Sequence, residues 1–226
     1  MIKKTLGALV PLTIPILISV LAILVLLSHL FMNTEYRRPN FPTDSYGFTT
    51  GERLEFGNKT RRYLITKMTL DDLRELKFAD GEPIYEEREL THLEDVKIVL
   101  QGVLRVFYGA VSVLFLGGYL ASTGDWRKEF LRAIYLGGKI TAGLLVIMLA
   151  FTAVSFQSLF TNFHLIFFEG DSWLFLFSDT LIRLFPVRFW QDIFLVFGVL
   201  TLAGGIICGW ILPGIIRSIE IRKSSN

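Results

Sequence analysis

Four stretches of this chain are long enough, and nearly free enough of charge, to cross a lipid bilayer as helices. No residue from Thr5 to Thr34 is charged, only Arg105 is from Ile98 to Gly124, and none is from Ile140 to Phe163 or from Ile193 to Ile216. A bilayer core needs about 20 apolar residues in helical form. Transmembrane helices are therefore expected at 7–31, 96–121, 139–161 and 192–214. The hydrophobic share of 52% in 226 residues and the mean hydropathy of +0.50 exclude most soluble cytosolic enzymes. A formal net charge of +2 gives no reason to expect nucleic acid as a partner. The single cysteine, Cys208, cannot form an intramolecular disulfide and reads as a small hydrophobe in an apolar run.

Lys3 and Lys4 ahead of the first run resemble the start of a signal peptide. The run is longer than a signal h-region and lacks a clear A-x-A site, so it reads as an uncleaved anchor. Orientation follows from the basic residues in short flanks. Lys3 and Lys4, then Arg127, Lys128 and Arg132, then Arg217, Arg222 and Lys223 put both termini, the loop 122–138 and the tail 215–226 in the cytoplasm. Segments 32–95 and 162–191 then face outward. Gly205 and Gly209 form G-x-x-x-G in the fourth span, and Gly117-Gly118 and Gly137-Gly138 lie near the ends of the second and third. Close helix contact is the simplest use of these glycines.

Segment 32–95 is too short and polar for a large core of its own. Thr49 with Glu52 and Thr69 with Asp72 have helix-capping spacing, and Asp80-Gly81 is the dipeptide of a tight hairpin turn. A mixed α/β extracytoplasmic cap is expected. Thr91-His92-Leu93-Glu94 has the T-x-x-E pattern ahead of span two, which predicts that His92 is that helix's first residue. A helix N-terminus disfavours imidazolium, whereas Glu94 and Asp95 favour it, so the sign of any pKa shift stays open. Segment 162–191 is dense in Phe and Trp and carries Glu169, Asp171, Asp179, Arg183 and Arg188. Rings with charges between them suit the headgroup level of a membrane and a lipid-like substrate.

The three histidines, His29, His92 and His164, each fall near the outer boundary. His29 has apolar neighbours and reads as an interface residue. His92 and His164 each sit where an outer segment meets a helix, and adjoining helices would bring them together; structural hydrogen bonding is the plainer alternative. Arg105 lies about 12 Å inside span two, counted from Lys97 at 1.5 Å per residue. With Gln101 and Tyr108 it forms a polar stripe on one helix face. An arginine at that depth faces a bundle, a watery cavity or an anionic headgroup, or snorkels to the interface. There is no G-x-S-x-G elbow and no H-E-x-x-H motif. A metal site from His92, His164 and Asp95 or Asp171 has no tight ligand spacing behind it.

Phe41-Pro42 and Tyr46-Gly47-Phe48-Thr49 after span one, and His92 to Lys97 at span two, form a specific combination with Phe163 to Phe168, Trp173, Asp179 to Ile182 and Leu184-Phe185-Pro186. Together they resemble the Lit family, the lipoprotein intramolecular transacylases of low-GC Gram-positive bacteria. The resemblance implies a multi-pass cell-membrane enzyme acting at the extracytoplasmic face on a diacylated lipoprotein. The sn-2 acyl chain of a diacylglyceryl-cysteine would move to the α-amino group, leaving a lyso-form lipoprotein. It also implies that the family's two functional histidines fall on His92 and His164. On this reading His164 is the principal acid and base, with His92 as its partner. Arg105, Lys97, Arg183, Gln101 and Trp173 are candidates for holding the substrate. No cofactor or metal is expected; the partners are the lipoprotein and membrane lipid, and the chain is expected to act as a monomer. Two alternatives stand beside this one: a membrane receptor or scaffold with an extracellular binding cap, and a metal-dependent intramembrane hydrolase.

Overall fold

The computed structural model describes residues 2–224, apart from the side chains of 151–154 and 219–224. The side chains of Arg222 and Lys223, part of the basic tail, therefore lie outside what is described, as do residues 1 and 225–226 altogether. The elements are helical: α1 Ile2–Leu26, α2 His29–Tyr36, α3 Thr50–Ile65, α4 Leu70–Arg74, α5 Glu87–Ser122, α6 Arg127–Val154, α7 Phe156–Phe167, α8 Thr180–Leu184 and α9 Val187–Ile206. A π-helical turn, Ile207–Ile211, leads into α10, Leu212–Ser224. Four helical stretches among the described residues are long and apolar enough to cross a membrane: Ile2–Leu26, Glu87–Ser122, Arg127–Ala150 and Val187–Ser218. The protein is a helical, multi-pass membrane protein. Its second and third spans are joined by a short turn, because Arg127 to Arg132 are already helical.

The chain divides into two compact units. The bundle unit comprises Met1–Ile23, Val103–Val154 and Val196–Asn226. Its core is Leu6, Val10, Ala121, Trp126, Phe130 and Ala133. Glycine makes a close approach of α6 to the fourth span: a Cβ on Gly138 would stand 2.8 Å from Cys208 of the π turn, and one on Gly205 would stand 3.0 Å from Gly138 O and Ala142 N. The small residues of the fourth span thus serve backbone-to-backbone packing against α6.

The second unit, Leu24–Gly102 with Ser155–Leu195, holds segments 32–95 and 162–191. Its core gathers Phe48, Phe56, Tyr63, Leu73, Ile84, Tyr85, Leu90, Leu93, Leu181 and Leu184. Both capping boxes form. Thr49 Oγ1 accepts from Glu52 N–H while Glu52 accepts from Thr49 N–H, and Thr69 with Asp72 repeats the arrangement at α4. The mixed α/β cap does not: among the described residues the only β pairing is an isolated antiparallel bridge, Lys77 with Pro83. The Asp80-Gly81 turn is made, with Gly81 at φ 92°, Gly81 N–H donating to Phe78 O (3.0 Å) and Phe78 N–H to Glu82 O (2.8 Å). Pro83 has no N–H for a ladder, and α4 and α5 take up the flanking residues.

The start of α5 also differs from the capping-box expectation. The helix begins at Glu87, so His92 is its sixth residue and not its first. Thr91, inside the helix, turns its hydroxyl back to Glu87 O at 2.9 Å. The helix is capped instead by Glu89, whose carboxylate accepts from Glu86 N–H at 2.8 Å.

Candidate active site

His92 and His164 both belong to the second unit. Each is 8% exposed, and their ring centroids lie 6.1 Å apart with the planes 22° from parallel. An aromatic enclosure surrounds them. Phe168 reaches both, at 4.8 Å from His92 and 5.6 Å from His164. Phe175 meets His92 edge-on at 5.4 Å, and His164 has Phe160 at 4.2 Å and Trp173 at 4.8 Å.

The two rings have different hydrogen bonding. His164 Nδ1 lies 2.7 Å from Phe160 O. A carbonyl only accepts, so Nδ1 carries the proton and a neutral His164 keeps its Nε2 lone pair free. His92 Nδ1 is buried with no partner among the described residues. A buried nitrogen without a partner is costly.

His92 lies in the charged first turns of α5, ahead of the apolar run that starts at Ile98. Burial disfavours its imidazolium, and the neighbouring His164 charge adds to this, pulling His92 down to about 4. Burial also lowers His164, opposed by the Phe160 hydrogen bond. Both rings are therefore neutral at pH 7, held so by burial and not by the helix dipole, because His92 is not at the helix terminus. The folded state binds these protons more weakly than the unfolded chain. The stability they contribute is thus complete above the ordinary value of 6.5 and is lost as pH falls toward the folded values. The melting temperature in detergent is expected to drop between pH 6.5 and 5, and His92→Phe is expected to flatten part of that slope. An identical slope in the variant would show that His92 is not a source of it.

The segment carrying Trp173 and Phe175 is held by α8. Leu181 N–H donates to Glu89 Oε1 at 2.7 Å, Thr180 Oγ1 to Ile84 O at 2.5 Å and Tyr36 Oη to Leu184 O at 2.6 Å. Asp179 accepts from Leu176 N–H at 2.7 Å and pairs with Arg88 at 2.7 Å. Glu89, 1% exposed, thus caps α5 and anchors α8, and burial raises its pKa. Glu89→Ala would orphan two N–H groups at about 1–3 kcal/mol each. A clear fall in melting temperature is expected, with Glu89→Gln partly restoring it because one acceptor remains.

The other candidates have varied settings. Trp173 lies against His164, as above. Lys97 donates to Met68 O at 2.6 Å and sits 4.0 Å over the Tyr63 ring. Arg183 pairs with Asp44 at 3.0 Å and stacks 3.9 Å over Phe48. Gln101 is exposed. Arg105 belongs to the bundle unit, is exposed and makes no hydrogen bond or ion pair with another described residue. His29 is exposed beside Asn33 and takes no part in the pair. Among the described residues no cluster of three or more His, Cys, Asp and Glu side chains could hold a metal ion. Glu89, Phe168 and Phe175 join the candidate site only in three dimensions; the Glu86-x-x-Glu89 spacing is the one trace of the first in the sequence.

Comparison with known proteins bears on this arrangement. A family model described as lipoprotein intramolecular transacylase Lit matches residues 6–190. An uncharacterized protein of Aquifex aeolicus (strain VF5) is 29% identical over 195 residues, covering 83% of this chain and 87% of that protein. The in meso structure of the membrane integral lipoprotein intramolecular transacylase Lit from Bacillus cereus aligns with a TM-score of 0.77 at 21% identity, covering 97% of this chain and 98% of that one. A variant of that protein with one histidine replaced by arginine aligns with a TM-score of 0.64 at 18% identity, covering 97% and 94%. The solved structures share the fold, and the family model spans both histidines and most of the chain: the protein belongs to the Lit family of lipoprotein intramolecular transacylases.

Proposed function

We propose that this chain moves the sn-2 acyl group of a diacylglyceryl-cysteine lipoprotein to the lipoprotein's own α-amino group, with His164 as acid and base and His92 as its partner. The observation that carries this reading is the buried histidine pair, 6.1 Å between centroids, with the His164 tautomer set by Phe160 O. The amine nitrogen attacks the ester carbonyl through a ring of about eight atoms, so holding a flexible substrate in attack geometry supplies much of the acceleration. The N–C bond forms and the bond from the carbonyl carbon to the glycerol oxygen breaks. His164 Nε2 takes the proton lost by nitrogen and returns it to the departing oxygen, leaving an amide and a free sn-2 hydroxyl. The unpartnered Nδ1 of His92 orients the ester or stabilises the oxyanion.

Acyl chains have an apolar surface beside the pair: Leu165, Ile166 and Phe167 of α7 and Leu174, Leu176 and Phe177 after it are all exposed. The short basic flanks put both termini in the cytoplasm and these segments at the outer face. Trp173 walls the site, and Lys97, Gln101 and Arg183 border polar parts of the substrate. Arg105 holds a polar group of lipid or substrate at its own level of the span. Arg105→Ala is expected to weaken turnover with the helices intact; unaltered turnover removes Arg105 from the reaction.

The test is purified protein with a synthetic diacylglyceryl-cysteinyl peptide labelled in the sn-2 chain, analysed by mass spectrometry. The label is expected in an N-terminal amide, with EDTA without effect and an N-acetylated peptide inert. Release of labelled free fatty acid, abolished by EDTA, would instead identify a metal-dependent hydrolase.

A further inference from the structure

We propose that the bundle unit carries a binding site for one phospholipid with a zwitterionic amino headgroup, in a groove between the start of α1 and the start of α6. The groove has a volume of about 500 Å³. Its floor is apolar, with Gly7 and Pro11 on one side and Trp126, Ala133 and Leu136 on the other. Gly7 packs close to the Trp126 ring, since a Cβ there would already be in van der Waals contact with it at 3.8 Å, so an acyl chain runs over this contact and not between the two residues. Both α1 and α6 are long and apolar enough to cross a membrane, so a groove along them opens onto acyl chains.

The rim specifies the headgroup. Lys3, Lys4 and Arg132 line the opening together with Asp125 and Glu129. Lys3 Nζ lies 3.5 Å from where a Gly124 Cβ would be, at the turn bearing Asp125. None of these five side chains makes an ion pair or hydrogen bond with another described residue. Three cations and two carboxylates thus face one opening with both signs unspent. A phosphate fits the lysines and the arginine. The carboxylates beside them oppose a second negative charge and accept hydrogen bonds from a primary ammonium, while one acyl chain lies along Gly7, Pro11 and Leu136. The chemistry matched is phosphatidylethanolamine, in preference to phosphatidylglycerol, which lacks the ammonium, and to phosphatidylcholine, whose quaternary nitrogen donates no hydrogen bond.

The test is native mass spectrometry of the full chain in detergent, titrated separately with phosphatidylethanolamine, phosphatidylglycerol and phosphatidylcholine. One phosphatidylethanolamine is expected to be retained in preference to the other two. The variant Lys3→Gln/Lys4→Gln/Arg132→Gln is expected to lose about tenfold in affinity for every lipid. Asp125→Asn/Glu129→Gln is expected to abolish the preference for the amino lipid while still binding phosphatidylglycerol. Leu136→Trp, which fills the groove and leaves its charges in place, should also lose retention, and melting temperatures report whether each variant is folded. A preference for phosphatidylglycerol, or equal retention of all three lipids by wild type and folded variants, would overturn the proposal.

Discussion

Replacing His164 with alanine is expected to slow acyl transfer by about 10²- to 10⁴-fold, the range of a positioned acid and base. The reason lies in its hydrogen bonding. Nδ1–H is committed to Phe160 O, so Nε2 is the one basic nitrogen the ring can offer. His164→Asn tests this more sharply than alanine, because an amide N–H can still donate to Phe160 O but has no basic nitrogen. It is expected to be as slow as His164→Ala. His92→Phe keeps an aromatic ring beside Phe168 and Phe175 and removes the unpartnered nitrogen. A loss there equal to that of His92→Ala assigns the role to the nitrogen, whereas retained activity would make His92 a packing residue. The double variant is expected to lose little more than the worse single one, since groups acting as a unit are not additive. Measured initial rates with the labelled peptide, on variants whose melting temperatures match wild type, decide each case.

Gly138→Leu is expected to cost the largest share of fold stability. A Cβ at Gly138 would meet Cys208 at 2.8 Å, including backbone of the π turn. One at Gly209 would meet Lys139 N at 3.0 Å, and the contact is backbone against backbone from either side. Overpacking typically costs about 1–3 kcal/mol, and this site belongs at or above the top of that range because no flexible side chain can move aside. Gly143, also on α6, has nothing within 4 Å of its Cβ position, so Gly143→Leu is the control. Size-exclusion profiles and melting temperatures in detergent should show Gly138→Leu aggregated or strongly destabilised and Gly143→Leu unchanged. Equal behaviour of the two would remove the close approach as a determinant of the bundle.

The membrane-spanning helices were legible because a single physical demand, about 20 residues without charge, writes itself along the chain. Local caps were legible for the same kind of reason. Thr49 with Glu52 and Thr69 with Asp72 act within one turn of themselves and formed as spaced. Thr91 and Glu94 have an equally good local pattern and did not cap, because an earlier start at Glu87 lets Glu89 accept from Glu86 and from Leu181, 92 residues away. A long-range partner decided between two local options, and spacing carries no record of it. Asp80-Gly81 likewise made its turn without making a sheet, since the turn is local and a ladder depends on partners that Pro83 and the helices around it do not supply.

The candidate site was legible in its residue types but not in its geometry. His92 and His164 could be singled out by chemistry and position, but not the 6.1 Å that joins them or Phe168 packed against both. Lys97 and Arg183 were named for their charge, and the structure engages them with Met68, Tyr63, Asp44 and Phe48. Which long side chain meets which partner is fixed only in three dimensions.

A histidine pair is proposed to drive an acyl shift from glycerol oxygen to the lipoprotein amine. Its most direct test is tandem mass spectrometry of the N-terminal lipopeptide of a lipoprotein, taken from cells with and without this chain and with His92→Ala or His164→Ala. Wild type is expected to convert the diacylglyceryl form to one with an N-acyl and an S-monoacylglyceryl group, and neither variant is expected to do so. A lipopeptide left in the diacylglyceryl form in cells where the folded protein is abundant would contradict it and give first place to a receptor or scaffold.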